Sequence, residues 1–120
     1  MADRALFIGW ETPVRGAEER AVEVFNEALG ILGRMQQDSR IERFDVVLLD
    51  PSSTLNGFIT VQGSQEQITA LRNDEEFRRN TVDATLAVDG IQHIEGAIND
   101  GVAREMALYT DAIARVPQRA

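Results

Sequence analysis

Four segments with strand character alternate with helix-forming segments, in the order strand, helix, strand, strand, helix, strand, helix. Short apolar runs bounded by turn residues predict the strands, and apolar residues spaced three and four apart predict the helices. This order predicts a ferredoxin-like α+β fold, with four antiparallel strands, two helices across one face and an extra C-terminal helix. The predicted strands are Arg4–Trp10, Ile41–Asp50, Gly57–Gly63 and Ile91–Ile98, and the helices are Arg15–Gln36, one from Ser64 and one after Gly101.

Polar motifs predict where the later helices begin. Ser64-Gln65-Glu66-Gln67 has the form of a capping box. Asp74 can cap a second segment after it, so we expect one kinked helix or two stacked pieces. Asn99-Asp100-Gly101 is expected to cap the last helix. The apolar positions are Phe77, Val82, Leu86 and Val88 in the second segment, and Val102, Met106, Tyr109, Ile113 and Val116 in the last helix.

Both faces of the predicted sheet carry apolar residues. In the first strand, Phe7 lies on one side and Leu6 and Ile8 on the other. The second strand ends in the run Val46–Leu49, which is typical of a strand end covered on both faces. Two helices can cover only one face of a sheet. We therefore expect a second covering layer on the open face.

Composition excludes several kinds of chemistry. A chain of 120 residues, 43% of them apolar, fits one domain over residues 1–120. The sequence has no cysteine and no lysine, so thiolate nucleophiles, cysteine-ligated zinc and Schiff-base chemistry are excluded. One histidine, His93, cannot supply a two-imidazole site within one subunit. Consecutive acids at Asp74-Glu75-Glu76 suit a helix start better than a metal site, and the glycines lack phosphate-loop spacing, so no metal or cofactor is predicted.

Charge and hydropathy limit the partners. A net charge of −8 opposes phosphate binding, so no nucleic acid is expected. The sequence contains no apolar run of about 18 residues and no signal-peptide pattern at its start, so no membrane association is expected. These features predict a soluble cytoplasmic protein.

The chain resembles the ferredoxin-like dimeric α+β barrel superfamily, which includes antibiotic-biosynthesis monooxygenase-like domains. The resemblance lies in element order and in the stretches GFITVQGS, LAVDGIQHIEG and VAREMALY. It implies that two subunits pack their open sheet faces together and that a ligand lies between the sheet and the helices of each subunit. No catalytic residue set of the superfamily matches this sequence.

Seven residues are candidates for ligand binding. His93 and Glu95 leave the same face of one strand, so the carboxylate could orient the imidazole and raise its basicity, or the two could form a structural pair. Polar residues among aromatics suit a small-molecule pocket, but the same residues also suit the core or the surface. On that basis the remaining candidates are Trp10, Glu11, Thr60, Gln62 and Tyr109.

These observations leave two main functions open. The first is a homodimeric cytoplasmic protein that binds a small organic ligand or serves as an accessory protein, paired through its open sheet face. The alternative is a cofactor-independent oxygenase or isomerase acting on a small aromatic or enolisable substrate. Haem binding through His93 is a third possibility, because one imidazole suffices as an axial ligand.

Overall fold

The computed structural model describes residues 1–117 and contains the predicted order of elements. The second helical region is two separate helices rather than one. Residues 118–120, which the predicted domain includes, lie outside the described part. The elements are β1 Arg4–Trp10, α1 Glu18–Gln37, β2 Arg43–Leu48, β3 Gly57–Gly63, α2 Gln65–Asn73, α3 Glu75–Ala87, β4 Gln92–Ala97 and α4 Asp100–Ala114.

The four strands form one sheet in the order β2-β3-β1-β4, with every neighbouring pair antiparallel. Phe7 in β1 lies opposite Thr60 in β3 on one side and opposite Ile94 in β4 on the other. The α+β class and the four-stranded antiparallel sheet are therefore confirmed.

The core lies between one face of the sheet and helices α1 to α3. Leu6 and Ile8 of β1 and Ile59 and Val61 of β3 alternate toward the helices, as the period of two along a strand requires. Their buried neighbours are Ile31, Leu32, Met35, Ile41, Ile68, Leu71 and Phe77. This packing gives the sheet one covered face and one open face.

Helices α2 and α3 begin with the capping hydrogen bonds that the sequence predicts. The Ser64 hydroxyl accepts from the Gln67 amide at 3.1 Å, and Gln67 Oε1 accepts from the Ser64 amide at 2.8 Å. Asp74 Oδ2 accepts from the Phe77 amide at 3.0 Å and so caps α3. Both capping predictions are confirmed.

The face predicted for α3 is right at Phe77 and wrong at Val82 and Leu86. Val82 and Leu86 are exposed, whereas Phe77, Asn80 and Ala87 are buried. The inward positions are three and four apart, as in any amphipathic helix, but a polar residue and a small one replace large apolar side chains there. Because small inward residues let α3 lie close to α1, the apolar residues that the sequence pattern selected end up outside.

The start of helix α4 is held by contacts with the first residues of the chain rather than by a side-chain cap. Asn99 makes no capping bond, so the predicted cap is wrong, and its Nδ2 instead donates to the Ala2 carbonyl at 2.7 Å. Arg104 pairs with Asp3 on the next turn. Beyond these contacts the helix projects from the rest of the molecule. The molecule measures 56 × 37 × 23 Å. Its radius of gyration is 17.0 Å, whereas a compact chain of this length has a radius of about 14 Å.

The far end of β2 is not covered. The predicted strand Ile41–Asp50 is shorter in the structure, where it ends at Leu48. The side chain of Leu48 is 69% exposed. Strand β2 is the sheet edge, so the apolar run has no neighbouring strand on one side. The expectation of cover on both faces is wrong for the chain by itself.

Candidate functional site

A cavity of about 240 Å³ opens between α1, α3 and the end of β1. Residues from α1 and α3 form its sides, Trp10 forms part of the wall from β1, and Leu48 of the exposed β2 end contributes at its rim. Apart from the indole N–H of Trp10, Asn80 carries the one polar side chain among the lining residues. The lining residues are Trp10, Pro13, Ala21, Val22, Val24, Phe25, Ala28, Leu48, Asn80, Ala84, Val88 and Ile91.

Trp10 is held in the cavity wall by a glycine and a second aromatic ring. It lies opposite Gly57 in the β1–β3 register, and a Cβ at position 57 would lie 2.8 Å from the indole atom Cε2. The absence of a side chain at Gly57 therefore lets the indole lie against β3. Phe25 contacts the indole edge-on, with ring centroids 5.7 Å apart at 65°.

Asn80 is a buried polar residue of the cavity lining, and a hydrogen bond fixes its side chain. Its side chain is on the inward face of α3 and the residue is 7% exposed. Its Nδ2 donates to the Val24 carbonyl at 3.0 Å, which ties α3 to α1. The bond uses one of the two N–H donors of Asn80, so its carboxamide can offer a ligand the oxygen as an acceptor and the second N–H as a donor.

The sequence candidates do not form one cluster. Trp10 faces the helices, whereas Thr60 and Gln62 lie on the open sheet face, where Gln62 Nε2 donates to Asp45 Oδ2 at 3.1 Å. Glu11 acts through its backbone: its amide donates to Asp89 at 2.9 Å and its carbonyl accepts from Asn56 at 2.6 Å.

Tyr109 lies outside the cavity. It belongs to the exposed part of α4, and its side chain is not among the cavity lining. Of the seven candidates, Trp10 alone therefore lines the cavity. The predicted ligand-binding roles of all seven residues stay predictions.

His93 and Glu95 share the helix-facing side of β4, as predicted, but their partners differ from those expected. The His93 ring lies against Phe77, with centroids 5.7 Å apart. Glu95 binds Arg72, accepts from Gln65 at 3.3 Å and pairs with Arg4 at 3.6 Å. The carboxylate is thus occupied by guanidinium groups.

These surroundings lower the pKa values of both His93 and Glu95. Burial lowers the pKa of His93, and the positive charge of Arg72 lowers it further. The hydrogen bond from Arg72 lowers the pKa of Glu95. Glu95 does not raise the pKa of His93, because its carboxylate pairs with Arg72 and Arg4. The role of the two residues in ligand binding stays a prediction.

We expect the chain to lose stability in two acid steps. Since the folded chain binds a proton on His93 less readily than the unfolded chain, the free energy of unfolding falls as pH drops below about 6.5, the ordinary histidine pKa. A second fall begins near pH 4.5, where unfolded Glu95 takes up a proton before the folded group does. Urea unfolding across pH 8 to 3.5 measures both.

Substitution of His93 and of Glu95, each by glutamine, separates the two acid steps. His93→Gln should flatten the fall below pH 6.5 and keep the later one, whereas Glu95→Gln should weaken the step that begins near pH 4.5. An unchanged pH profile in His93→Gln would contradict the assignment.

The open sheet face has an apolar half and a polar half. We define it as the outward residues Ala5, Phe7, Gly9, Arg43, Asp45, Val47, Phe58, Thr60, Gln62, Gln92, Ile94 and Gly96. Phe7 and Phe58 pair there, with ring centroids 5.2 Å apart, and Val47 and Ile94 beside them are exposed. Arg43 and Asp45 form an ion pair at 2.8 Å in the polar half.

The described residues, 1–117, contain neither a cluster of metal-ligating side chains nor a helix that could span a membrane. No group of three or more potential metal-ligating side chains occurs among them. None of their helices is long and apolar enough to cross a membrane.

Comparison by sequence gives no match, either to a family model or to a curated protein. Comparison by structure gives several. A dimeric protein of unknown function and ferredoxin-like fold from Bacteroides fragilis matches with a TM-score of 0.58 and 13% identity, over 79% of this chain and 95% of its own. The chain has the ferredoxin-like fold.

Two further structures with this ferredoxin-like fold have assigned activities. SnoaB, a cofactor-independent oxygenase from Streptomyces nogalater, matches with a TM-score of 0.55 and 15% identity, over 82% of this chain and 95% of its own. A candidate antibiotic biosynthesis monooxygenase from Chloroflexus aurantiacus matches with a TM-score of 0.54 and 13% identity, over 80% and 93%. The resemblance found in the sequence is therefore confirmed at the level of the fold.

Proposed function

We propose that this chain is a cytoplasmic homodimer that binds a small, uncharged, largely apolar organic ligand in the cavity beside Trp10. The cytoplasmic location rests on the sequence alone. The observation that carries the ligand part is the cavity itself, an apolar space between sheet and helices with one fixed polar side chain.

The size and lining of the cavity define the ligand class. Its volume of about 240 Å³ is slightly below the range of about 300–1,000 Å³ for drug-sized ligands, which favours a compound of one or two rings. None of its lining residues is ionisable. A charged ligand would lose hydration there with no partner, whereas an apolar ring with one hydroxyl could donate to the Asn80 oxygen.

The open sheet face supports the homodimer. Phe7, Phe58, Val47 and Ile94 form a continuous apolar region there, and such a region gains free energy when a second surface covers it. The similar Bacteroides fragilis protein is itself dimeric. The apolar region favours this face as the interface, and the similar protein favours only the dimeric state.

A cavity-filling variant tests ligand binding with 2-naphthol, a neutral two-ring probe with one hydroxyl. We expect saturable quenching of Trp10, the single tryptophan, by the wild-type protein. Ala84→Phe puts a ring into the cavity and should weaken binding by about tenfold or more. Calorimetric titration supplies an independent affinity.

Ala70→Phe is the matched control. Ala70 is exposed on α2 and does not line the cavity, so the affinity of this variant for 2-naphthol should stay within about twofold of wild type. Absence of saturable binding by the wild-type protein, or equal affinity in the two variants, would refute the ligand site.

The oxygenase or isomerase alternative has less support from this site. Its best observation is the fold shared with SnoaB. The nearest candidate base, His93, lies in a separate groove with Arg72, Phe77 and Val82 rather than in the apolar cavity. Catalysis and haem binding through His93 both stay predictions, and the ligand-binding proposal depends on neither.

A further inference from the structure

A groove between α2, α3 and the edge strand β4 is separate from the cavity beside Trp10. Its volume of about 660 Å³ is within the range of small-molecule sites. Among residues 1–117 the two spaces share no lining residue, because Asn80 and Ala84 of α3 line the cavity, whereas Thr81 and Val82 line the groove. We call it the β4 groove, and its lining includes Arg72, Phe77, Arg78, Thr81, Val82 and His93.

An aromatic pair and a valine give the β4 groove an apolar surface. Phe77 is buried, and its ring lies against the His93 imidazole with centroids 5.7 Å apart. Val82 lines the same groove and is 59% exposed. A planar ring that covers Val82 and His93 would therefore remove apolar surface from water.

Two arginines of the groove keep hydrogen-bond donors without a partner. The guanidinium of Arg78 makes no hydrogen bond or ion pair with residues 1–117. Arg72 binds Glu95 through Nη1, and its Nε and Nη2 have no partner in the same part of the chain. A planar carboxylate can accept from such N–H groups, and guanidinium geometry suits it.

Glu95 holds the Arg72 side chain in place. The Glu95 carboxylate itself accepts from Gln65 at 3.3 Å and pairs with Arg4 at 3.6 Å. Arg72 is thus bound to a carboxylate that β1 and α2 also hold. Because its side chain is already ordered, Arg72 loses less conformational entropy when it binds a ligand.

The carboxylates of the β4 groove are already paired. Glu75 pairs with Arg79 at 2.6 Å, and Asp83 pairs with Arg20 at 3.0 Å. The lining carries three guanidinium groups and two carboxylates, in a chain whose net charge is −8. Because physiological salt screens exposed charges beyond about 8 Å, this local excess of positive charge can outweigh the net charge of the chain.

We infer that the β4 groove binds a small aromatic carboxylate, with its carboxylate on Arg72 and Arg78 and its ring against Val82 and His93. This site is distinct from the cavity proposed for a neutral ligand, and it requires neither that ligand nor a dimer. Glu95 acts here as a positioning residue for Arg72. Charge-assisted hydrogen bonds are about twice as strong as neutral ones, which gives a carboxylate its preference over an uncharged group.

Calorimetric titration with 2-naphthoate tests the site, since this probe differs from 2-naphthol in carrying a carboxylate in place of the hydroxyl. We expect saturable binding by the wild-type protein at about 0.15 M salt. Arg78→Gln should weaken it by about tenfold, the effect of one charge-assisted hydrogen bond. Arg15→Gln removes the same charge from an exposed residue outside the groove, and its affinity should stay within about twofold of wild type.

The two probes separate the β4 groove from the cavity. Arg78→Gln should leave the affinity for 2-naphthol within about twofold of wild type, and Ala84→Phe should do the same for 2-naphthoate. Loss of 2-naphthoate binding in Ala84→Phe would place the anion in the cavity and overturn the inference. Loss of 2-naphthol binding alone would refute the cavity ligand and leave the β4 groove standing.

His93 is the single histidine, so its ring protons report on the groove in proton NMR. Burial and Arg72 lower the pKa of His93 in the free protein. The charged side chains that line the groove or pair with Glu95 are Arg4 of β1, Arg72 of α2, Glu75, Arg78, Arg79 and Asp83 of α3, and Glu95 itself. A bound carboxylate adds negative charge beside the imidazole, so saturating 2-naphthoate should raise the pKa of His93 toward its ordinary value of about 6.5.

Three further results would overturn the β4 groove as a carboxylate site. The first is the absence of saturable 2-naphthoate binding by the wild-type protein. The second is equal affinity in Arg78→Gln and Arg15→Gln, which would indicate a general attraction between charges rather than a site. The third is an unchanged pKa of His93 in the complex, since the anion would then lie elsewhere.

Discussion

Substituting Gly101 by alanine is expected to lower the free energy of unfolding by about 3 kcal/mol, the upper part of the usual range for overpacking. A Cβ at this position would lie 3.2 Å from the Asp3 carbonyl carbon and closer still to its oxygen. The obstacle is backbone, which cannot turn aside as a side chain can. Either α4 or the start of β1 must move, and the Asn99 bond to Ala2 anchors the same place.

The matched control is Gly33→Ala in α1. No heavy atom lies within 4 Å of a Cβ built there, and alanine is about 1 kcal/mol more favourable than glycine in a helix interior. Urea unfolding followed by tryptophan emission should therefore show a gain for Gly33→Ala and a loss for Gly101→Ala. A gain in both would contradict the close approach of α4 to Asp3.

The order of the elements could be predicted because each one carries its own local signal. Alternation marks β3, the capping box marks the start of α2, and Asp74 marks the start of α3. Such signals depend on neighbouring residues only. They correctly gave the ferredoxin-like fold without any knowledge of how the helices pack.

The errors concern packing between distant segments. The α3 pattern selected Val82 and Leu86 because they are large and apolar, but α3 turns Asn80 inward, where it bonds to α1. Asn99 likewise bonds to Ala2, a partner 97 residues away, instead of capping its own helix. No local pattern contains these contacts.

Only part of the candidate site could be predicted from local sequence signals. Trp10 stood out as an aromatic residue at a strand end, and it does line the cavity. Asn80 was not recognised, since a single asparagine on a helix is usually exposed. One signal was available: Phe77, Asn80, Ala84 and Ala87 keep the three-and-four spacing of an inward face.

The ion pairs around Glu95 were also beyond the sequence pattern. Arg4 and Arg72 reach Glu95 from β1 and α2, two elements far apart in the chain. Seen on β4 alone, His93 and Glu95 resemble an acid–base pair. Their environment makes Glu95 part of a charge cluster and leaves His93 as a neutral ring against Phe77 at neutral pH.

Gly57→Ala is expected to disturb the cavity and the stability together. The added Cβ would meet the Trp10 indole at 2.8 Å or less, and the rigid ring must tilt away from β3. We expect the free energy of unfolding to fall by about 2 kcal/mol, within the range for overpacked cores. Because the indole forms part of the cavity wall, 2-naphthol affinity should fall with it, by about tenfold.

Gly96→Ala separates the effect of the indole from the effect of losing any strand glycine. Gly96 lies in β4, and a Cβ built there meets no other part of its own chain within 4 Å, so alanine should leave the stability of the subunit equal or slightly higher. Its affinity for 2-naphthol should match wild type. If Gly57→Ala kept both wild-type stability and wild-type affinity, the indole would not lie against β3, and the cavity wall assigned to Trp10 would be wrong.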